Sequence, residues 1–333
     1  MKKLFAIAAV VALALTSCVS NVEVPDVEAE IAFNAVAYKS QAGRAPQYGP
    51  MTGTTYNTAE HFGAYAFHST AAWSDSYTPA PYMDNVEIWQ SGGVWKNHNR
   101  SYHWPKTGQL SFVCYSPYEF GTGTVKATAT KGVTFTGFTT TNDLSKQVDL
   151  MTMDVLKDQT SEGGAVEAAF KHILSQVAFT VAPKADYSTE VTSITLDGLV
   201  LEAVKTKANY AQTNETVATG AWSNQDVTAN YTFLSAAQSV PVNNTTPAAV
   251  GNAAIVIPQA CKDYVVKVSY TITYVGGAKD VLVDIPVKIT TENWEKGLKY
   301  VYNIQIGLGN EIIFSPSVTT DWTAGTGADI SVG

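Results

Sequence analysis

The feature that most constrains the fold is a long series of short segments rich in apolar, aromatic and β-branched residues, separated by residues rich in Gly, Pro, Ser and Thr. In the N-terminal half these segments include residues 62–67, 82–89 and 110–115. Where apolar residues recur at a period of two, the strand is expected to bury one face. Many such strands at this spacing predict an all-β fold built as a sandwich.

The same pattern continues through the C-terminal half, where Gly276-Gly277 predicts a hairpin turn. With 333 residues, the chain has room for two ordinary domains. The predicted organisation is a signal peptide at residues 1–17, a tether at 18–30, one β-sandwich at 31–165 and a second at 166–333.

The N-terminus resembles a bacterial lipoprotein signal. Lys2 and Lys3 precede an unbroken apolar run at 4–15, which is shorter than the roughly 20 residues that span a bilayer. The run ends in Leu15-Thr16-Ser17-Cys18. The resemblance implies cleavage between Ser17 and Cys18 and acylation of Cys18, which would anchor the protein in a membrane surface. The alternative is a plain secretory signal with an incidental cysteine.

The first predicted strand is followed by a basic loop. Ile31, Phe33, Ala35 and Ala37 recur at a period of two, which places them on one face. The polar residues 39–46 then carry Arg44, the first arginine of the chain. A polar loop of this kind is accessible to a trypsin-like protease, although it also fits an ordinary loop.

The C-terminal tail contains a further alternating segment, in which Ile312, Phe314 and Val318 are the apolar residues. Pro316 has no N–H to donate to a sheet, so this strand is expected at an edge or with a break.

Seven segments of the chain follow one another in a recognisable order: the lipobox at Cys18 and residues 82–86, 102–106, 112–117, 147–151, 170–177 and 312–322. In this order they resemble the fimbrillin family of Bacteroidetes, which includes the type V pilins. The resemblance implies two transthyretin-like β-sandwich domains in tandem and assembly by strand exchange. It also implies that an arginine-directed protease removes the lipidated first strand, with Arg44-Ala45 where the cut would fall, and that a neighbour's C-terminal strand fills the groove.

The physical chemistry of the first strand fits such an exchange. Its removal would strip about four inward side chains from a core, at roughly 1.5–3 kcal/mol each. It would also expose unpaired backbone groups that can pair with another strand. We therefore expect Ile312, Phe314 and Val318 to lie on the donor strand. The alternative is that this strand completes its own C-terminal domain.

The sequence offers no catalytic or metal-binding pattern, so we expect no enzyme activity, cofactor or metal. Its five histidines lie outside any HExxH pattern, and Gly-rich phosphate loops are absent. The net charge of -8 argues against nucleic-acid binding, which needs a basic surface. Cys114 and Cys261 have no metal-ligand spacing, and the sequence leaves open whether they pair.

Aromatic and polar residues at 89–104 suggest a second interpretation, because exposed aromatic rings can stack on sugars. The favoured interpretation is that Trp89 and Trp104 fill the core and Trp95 closes a hairpin, since large aromatic residues are mostly buried. The residues concerned are Trp89, Trp95, His98, Asn99, Arg100, Tyr102, His103 and Trp104.

The sequence thus predicts a structural subunit of a cell-surface fimbria, located at the outer membrane before processing. Its expected partners are other fimbrial subunits, the outer membrane through the lipid, and an Arg-specific or trypsin-like protease. The alternative is a lipoprotein or tip adhesin that binds host glycans or proteins and does not polymerise.

Overall fold

A computed structural model describes residues 28–37, 56–74, 76 and 79–319. The fold is all-β, as the alternation predicted. The helical segments among these residues are two single turns of 3-10 helix, Ser161–Gly163 and Val217–Thr219. The division into two transthyretin-like domains stays a prediction.

The N-terminal half forms a sheet whose pairings close on themselves. The order is β2-β3-β4-β1-β10-β8-β5-β9, and β5 also pairs with β2. The strands are β1 (Phe33–Ala37), β2 (Phe62–Ser69), β3 (Ala80–Ser91), β4 (Val94–Lys96), β5 (Gln109–Ser116), β6 (Thr124–Thr128), β7 (Gly132–Thr139), β8 (Met151–Thr152), β9 (Leu156–Gln159) and β10 (Val166–His172).

The C-terminal half contains two facing sheets and a short two-stranded pair. A four-stranded sheet has the order β15-β11-β20-β21, and a larger one runs β18-β17-β12-β7-β6, with β13 and β14 also paired to β12. The strands are β11 (Ser175–Pro183), β12 (Val191–Ala211), β13 (Ala221–Thr232), β14 (Gln238–Val240), β15 (Ala248–Val256), β16 (Gln259–Ala260), β17 (Val265–Tyr274), β18 (Lys279–Lys288), β19 (Asn293–Trp294), β20 (Lys299–Ile306) and β21 (Ile312–Thr319).

Three apolar clusters hold these sheets together. One fills the closed N-terminal sheet, and one lies between the C-terminal sheets. The third contains residues of both halves, including Tyr115 of β5, Phe135 of β7 and Tyr210 of β12. It forms because the β6–β7 hairpin pairs with the end of β12, far along the chain. The predicted boundary near residue 165 therefore lies after a hairpin whose sheet partner is C-terminal.

Two of the cysteines lie among the described residues. Cys114 and Cys261 are both buried free thiols, each in a different apolar cluster. Burial raises the pKa of both thiols, to about 12 for Cys261, so both are unreactive in the folded chain. Over the same residues, no helix has the length and apolar character needed to cross a membrane.

Candidate functional site

The first strand lies inside the closed N-terminal sheet, between two neighbours. β1 runs parallel to β10, from Phe33 opposite Val166 to Ala37 opposite Phe170. On its other side, Phe33 pairs with Trp95 of β4 in antiparallel fashion. Just before the strand, Ile31 N donates a hydrogen bond of 2.7 Å to Tyr102 O, in the segment that follows β4. We call the space that β1 occupies between β4 and β10 the β1 slot.

The inward side chains of this segment are Ile31, Phe33, Ala35 and Ala37, and all four are buried. Phe33 makes edge-to-face contacts with two rings of the core, at centroid distances of 5.5 Å to Phe62 and 5.9 Å to Phe112. Such aromatic pairs contribute beyond the apolar area they bury. Phe33 is thus the main side-chain anchor of the strand.

Further aromatic residues surround the slot, and the sequence did not reveal their grouping. Tyr56 lies 5.2 Å from Trp95 and 5.0 Å from Phe170, measured between ring centroids. Phe62 contacts Phe170 at 5.3 Å. These rings come from segments up to about a hundred residues apart, so only the folded sheet brings them together.

The tryptophans differ in part from the favoured interpretation. Trp104 is buried, as expected, and Trp95 lies in the same core. Trp89, however, is half-buried at the surface, where it stacks on His61 at 5.6 Å between ring centroids. The reason is alternation along β3, which turns Ile88 into the core and Trp89 away from it.

Polar contacts hold the outward side of the first strand. Glu30 forms an ion pair with Lys96, at the end of β4, with both side chains less than one-third exposed. The hydrogen bond from Lys96 lowers the pKa of the Glu30 carboxyl from its ordinary value. Asn34 Nδ2 donates to the Glu167 carboxylate on β10 at 2.9 and 3.0 Å. Glu30 and Lys96 are too far apart in sequence for this pair to be predicted.

The chain returns to the same core at Tyr56. This residue is buried, and its hydroxyl lies 2.7 Å from Ser116 Oγ. Burial raises the pKa of the Tyr56 phenol well above its ordinary value. The predicted processing site, Arg44 and Ala45, belongs to the segment between β1 and Tyr56 and lies outside the described residues. The predicted signal cleavage and lipidation site, Ser17 and Cys18, also lies outside them.

The predicted donor strand forms β21, at an edge of the four-stranded sheet. It pairs antiparallel with β20, from Ile306 opposite Ile312 to Lys299 opposite Thr319. Ile312, Phe314 and Val318 pack against the C-terminal core but remain only partly buried. Phe314 stacks on Tyr302, with ring centroids 5.2 Å apart. In this structure β21 therefore pairs within its own chain, and its role as a donor stays a prediction.

The polar side chains of the described residues form no group suited to holding a metal ion. His172 is buried, and its Nδ1 lies 2.9 Å from an oxygen of the Asp149 carboxylate, beside the β8–β10 pairing. This pair is a buried hydrogen-bonded contact between sheet segments, which is a structural role.

The fimbrillin-like family model matches residues 50–322 of this chain. The chain belongs to the fimbrillin-like family. A comparison with curated proteins found no match.

Solved structures similar to this fimbrillin-like chain include a fimbrial protein from Bacteroides vulgatus, with 21% identity and a TM-score of 0.66. That match covers 88% of this chain and 99% of the other. A candidate cell adhesion protein from Bacteroides ovatus has 15% identity and a TM-score of 0.52, covering 90% of this chain and 99% of that one. At these identities the likeness shows a shared fold.

Proposed function

We propose that this protein is a structural subunit of a cell-surface fimbria. In this proposal it is exported as a lipoprotein through Cys18, processed after Arg44 and polymerised by β-strand exchange. Membership of the fimbrillin-like family supports a fimbrial or adhesive role. The observation that carries the exchange step is the position of β1 as a central strand with neighbours on both sides.

Removing a strand that has neighbours on both sides disrupts pairing on both sides, whereas removing an edge strand disrupts it on one. Loss of β1 would leave β10 without its parallel partner along five residues and would remove the single pair that joins Phe33 to Trp95 of β4. It would also leave a cavity where Phe33 packs against the rings of Phe62 and Phe112. Both deficits favour the capture of a replacement strand, because unpaired edges and apolar slots are what β-augmentation satisfies.

The position of Arg44 suits such a removal. It lies between β1 and Tyr56, which are both anchored in the N-terminal core. A cut there would leave β1 held only by noncovalent contacts, while Tyr56 stays attached to the rest of the chain. The lipid on Cys18 would leave with the strand, so processing would also free the subunit from the membrane.

The test is digestion of the purified full-length chain with an Arg-specific protease. The chain contains two arginines, Arg44 and Arg100, so Arg100→Lys leaves a single site. We expect Arg100→Lys to be cut before Ala45 and to form SDS-resistant ladders. The matched control, Arg44→Lys with Arg100→Lys, should remain monomeric. Complete cleavage without ladders would contradict polymerisation and favour the alternative, a non-polymerising lipoprotein or adhesin.

A further inference from the structure

The segment that leads into β1 and the segment that opens β21 carry Glu, Ile and Phe at the same spacing. Residues 30–33 are Glu-Ile-Ala-Phe, and residues 311–314 are Glu-Ile-Ile-Phe. The correspondence continues at Ala35 and Ala37 in β1 and at Pro316 and Val318 in β21. Ile31, Phe33, Ala35 and Ala37 lie in the N-terminal core, and Ile312, Phe314 and Val318 pack against the C-terminal core.

From this correspondence we propose the register and direction in which β21 of a second copy enters the β1 slot. It lies parallel to β10, with Glu311, Ile312, Phe314, Pro316 and Val318 in the places of Glu30, Ile31, Phe33, Ala35 and Ala37. The inference rests on the proposed function, since it describes the partner strand of that exchange.

The aromatic position supports this register. Phe33 fills a site bounded by the rings of Phe62 and Phe112. Phe314 has the same side chain on the same face, so it restores these contacts. A shift of one residue would turn Ile312, Phe314 and Val318 outward and bring Ser315 and Ser317 into the core. A shift of two towards the C-terminal end of the slot would place the Phe314 ring where Ala35 has a methyl group.

The position of Pro316 supports the register independently. Val166 N donates to Ala32 O at 2.8 Å, which sets the alternation of the parallel β1–β10 ladder. It directs the N–H groups of Asn34 and Val36 to β10 and that of Ala35 to the other side. On that side the β1–β4 register consists of the Phe33–Trp95 pair. A proline at the Ala35 place thus costs no ladder hydrogen bond, whereas one at the Phe33 place would.

The charged position supplies a third match. Glu30 pairs with Lys96, with both side chains less than one-third exposed. Glu311 pairs with Lys184 in a more exposed setting, at 2.6 Å. In the proposed register Glu311 leaves Lys184 and takes the place of Glu30 beside Lys96. The cation at the end of β4 therefore keeps a carboxylate partner after the exchange.

This register also gives the exchange a direction. Pro316 and Val318 carry more apolar surface than Ala35 and Ala37, so β21 buries more apolar area in the slot than β1 wherever neighbouring side chains make room. After cleavage at Arg44, β1 also has no covalent link to the acceptor, so β21 of a second copy can replace it.

Disulfide trapping between two copies tests the register. The copies carry Cys18→Ser and Arg100→Lys, are cut at Arg44, mixed and oxidised. Donors carrying Ser315→Cys should link to acceptors carrying Glu167→Cys, because Asn34 lies opposite Glu167. Likewise, Ser317→Cys should link to Ala169→Cys, because Val36 lies opposite Ala169. The linked dimers should disappear on reduction.

The crossed pairs are the matched controls. Ser315→Cys with Ala169→Cys, and Ser317→Cys with Glu167→Cys, are each offset by two residues and should not link. If ladders form but the crossed pairs link more strongly than the matched pairs, the proposed register is wrong while strand exchange itself remains supported. Absence of ladders from the parent chain would instead overturn the exchange itself, together with the register.

A charge reversal gives a second readout. An acceptor carrying Glu30→Lys and Lys96→Glu keeps an ion pair before cleavage, so it should fold. After cleavage it should lose ladder formation with the unchanged donor and regain it with a Glu311→Lys donor. Equal ladders with both donors would show that Glu311 does not lie beside residue 96.

Discussion

Phe33 is the residue on which retention of the first strand depends most. We expect Phe33→Ala to lower the free energy of unfolding by about 3–5 kcal/mol, since it removes a buried ring and leaves a cavity. Val36→Ala, on the outward face of the same strand, should cost less than about 1.5 kcal/mol. Urea denaturation of the uncleaved chain measures both. Equal effects would show that the Phe33 site is not part of a close-packed core.

The Glu30–Lys96 pair makes retention of the first strand dependent on pH. The Lys96 hydrogen bond, with a smaller contribution from His103, lowers the pKa of Glu30 below its ordinary value of 4.5. Because the folded-state pKa is lowered, this pair contributes its full stability above about pH 4.5 and loses it as the pH falls through the folded-state pKa. We expect the cleaved first strand to dissociate faster once the pH falls below the folded-state pKa of Glu30.

The control for this pH dependence is Glu30→Gln, which has no carboxyl group to titrate at this position. Dissociation of the cleaved strand, followed by size-exclusion chromatography, should be faster than in the parent at neutral pH and less sensitive to acid. The same acid response in the parent and in Glu30→Gln would assign the effect to other carboxylates, such as Glu167.

The accessibility of the Cys114 thiol to a reagent measures whether the β1 slot is occupied. Cys114 lies in the same apolar cluster as Phe33, whereas Cys261 lies in the C-terminal core. After cleavage at Arg44, loss of the first strand should open Cys114 to a thiol reagent and leave Cys261 protected. The measurement uses protein dilute enough that a second copy seldom fills the slot, with Arg44→Lys as the control. Continued protection of Cys114 while the strand is absent would mean that the core closes over the slot.

At the scale of elements, the sequence predicted the positions of the strands better than it predicted which strands pair with each other. The period-two residues Ile31, Phe33, Ala35 and Ala37 do lie on one buried face, because alternation is a local property of a strand. The parallel pairing of β1 with β10 joins segments more than a hundred residues apart, and no local pattern encodes it. The Glu30–Lys96 pair joins the residues before β1 to the end of β4, which is also distant in sequence, so it could not be predicted either.

The two strands that the proposal exchanges differ in how firmly the structure holds them. The inward residues of β1 are fully buried between two neighbours, whereas those of β21 are partly buried at an edge. β21 pairs with β20 along eight residues, whereas β1 pairs with β10 along five and with β4 at one, so the backbone pairing does not make β21 the weaker strand. The difference lies in side-chain burial, which favours release of β21 over release of an uncleaved β1.

Phe314 therefore should matter more for polymers than for the fold of the single subunit. We expect Phe314→Ala to lower the free energy of unfolding by only about 1–2 kcal/mol, because its ring is partly buried on an edge strand rather than enclosed in the core. In the Arg100→Lys background it should strongly reduce ladder formation, because the same ring is needed in the β1 slot. Ile313→Ala, on the opposite face of β21, is the control. Undiminished ladders from Phe314→Ala would contradict a donor role for this ring.

At the scale of the whole molecule, the third apolar cluster connects the two halves. Phe135 on β7 contacts Tyr115 of β5 at 5.6 Å and Tyr210 of β12 at 6.3 Å, measured between ring centroids. The sequence placed the β6–β7 hairpin within the first domain because it precedes residue 165, and chain order alone cannot show that it pairs with β12. The Phe135 ring thus connects β5 of the N-terminal sheet with β12 of the C-terminal sheet.

This connection predicts that the uncleaved chain unfolds in one cooperative transition. Because the two halves share an apolar cluster, unfolding of either half would expose apolar surface on the other. The halves should therefore unfold together. Phe135→Ala should lower the melting temperature and broaden or split the transition, since it removes a ring that contacts both halves. Val281→Ala, at a side chain that is 64% exposed, should leave the transition unchanged. Differential scanning calorimetry measures all three proteins, and two well-separated transitions in the unaltered chain would show that the halves fold independently despite the shared core.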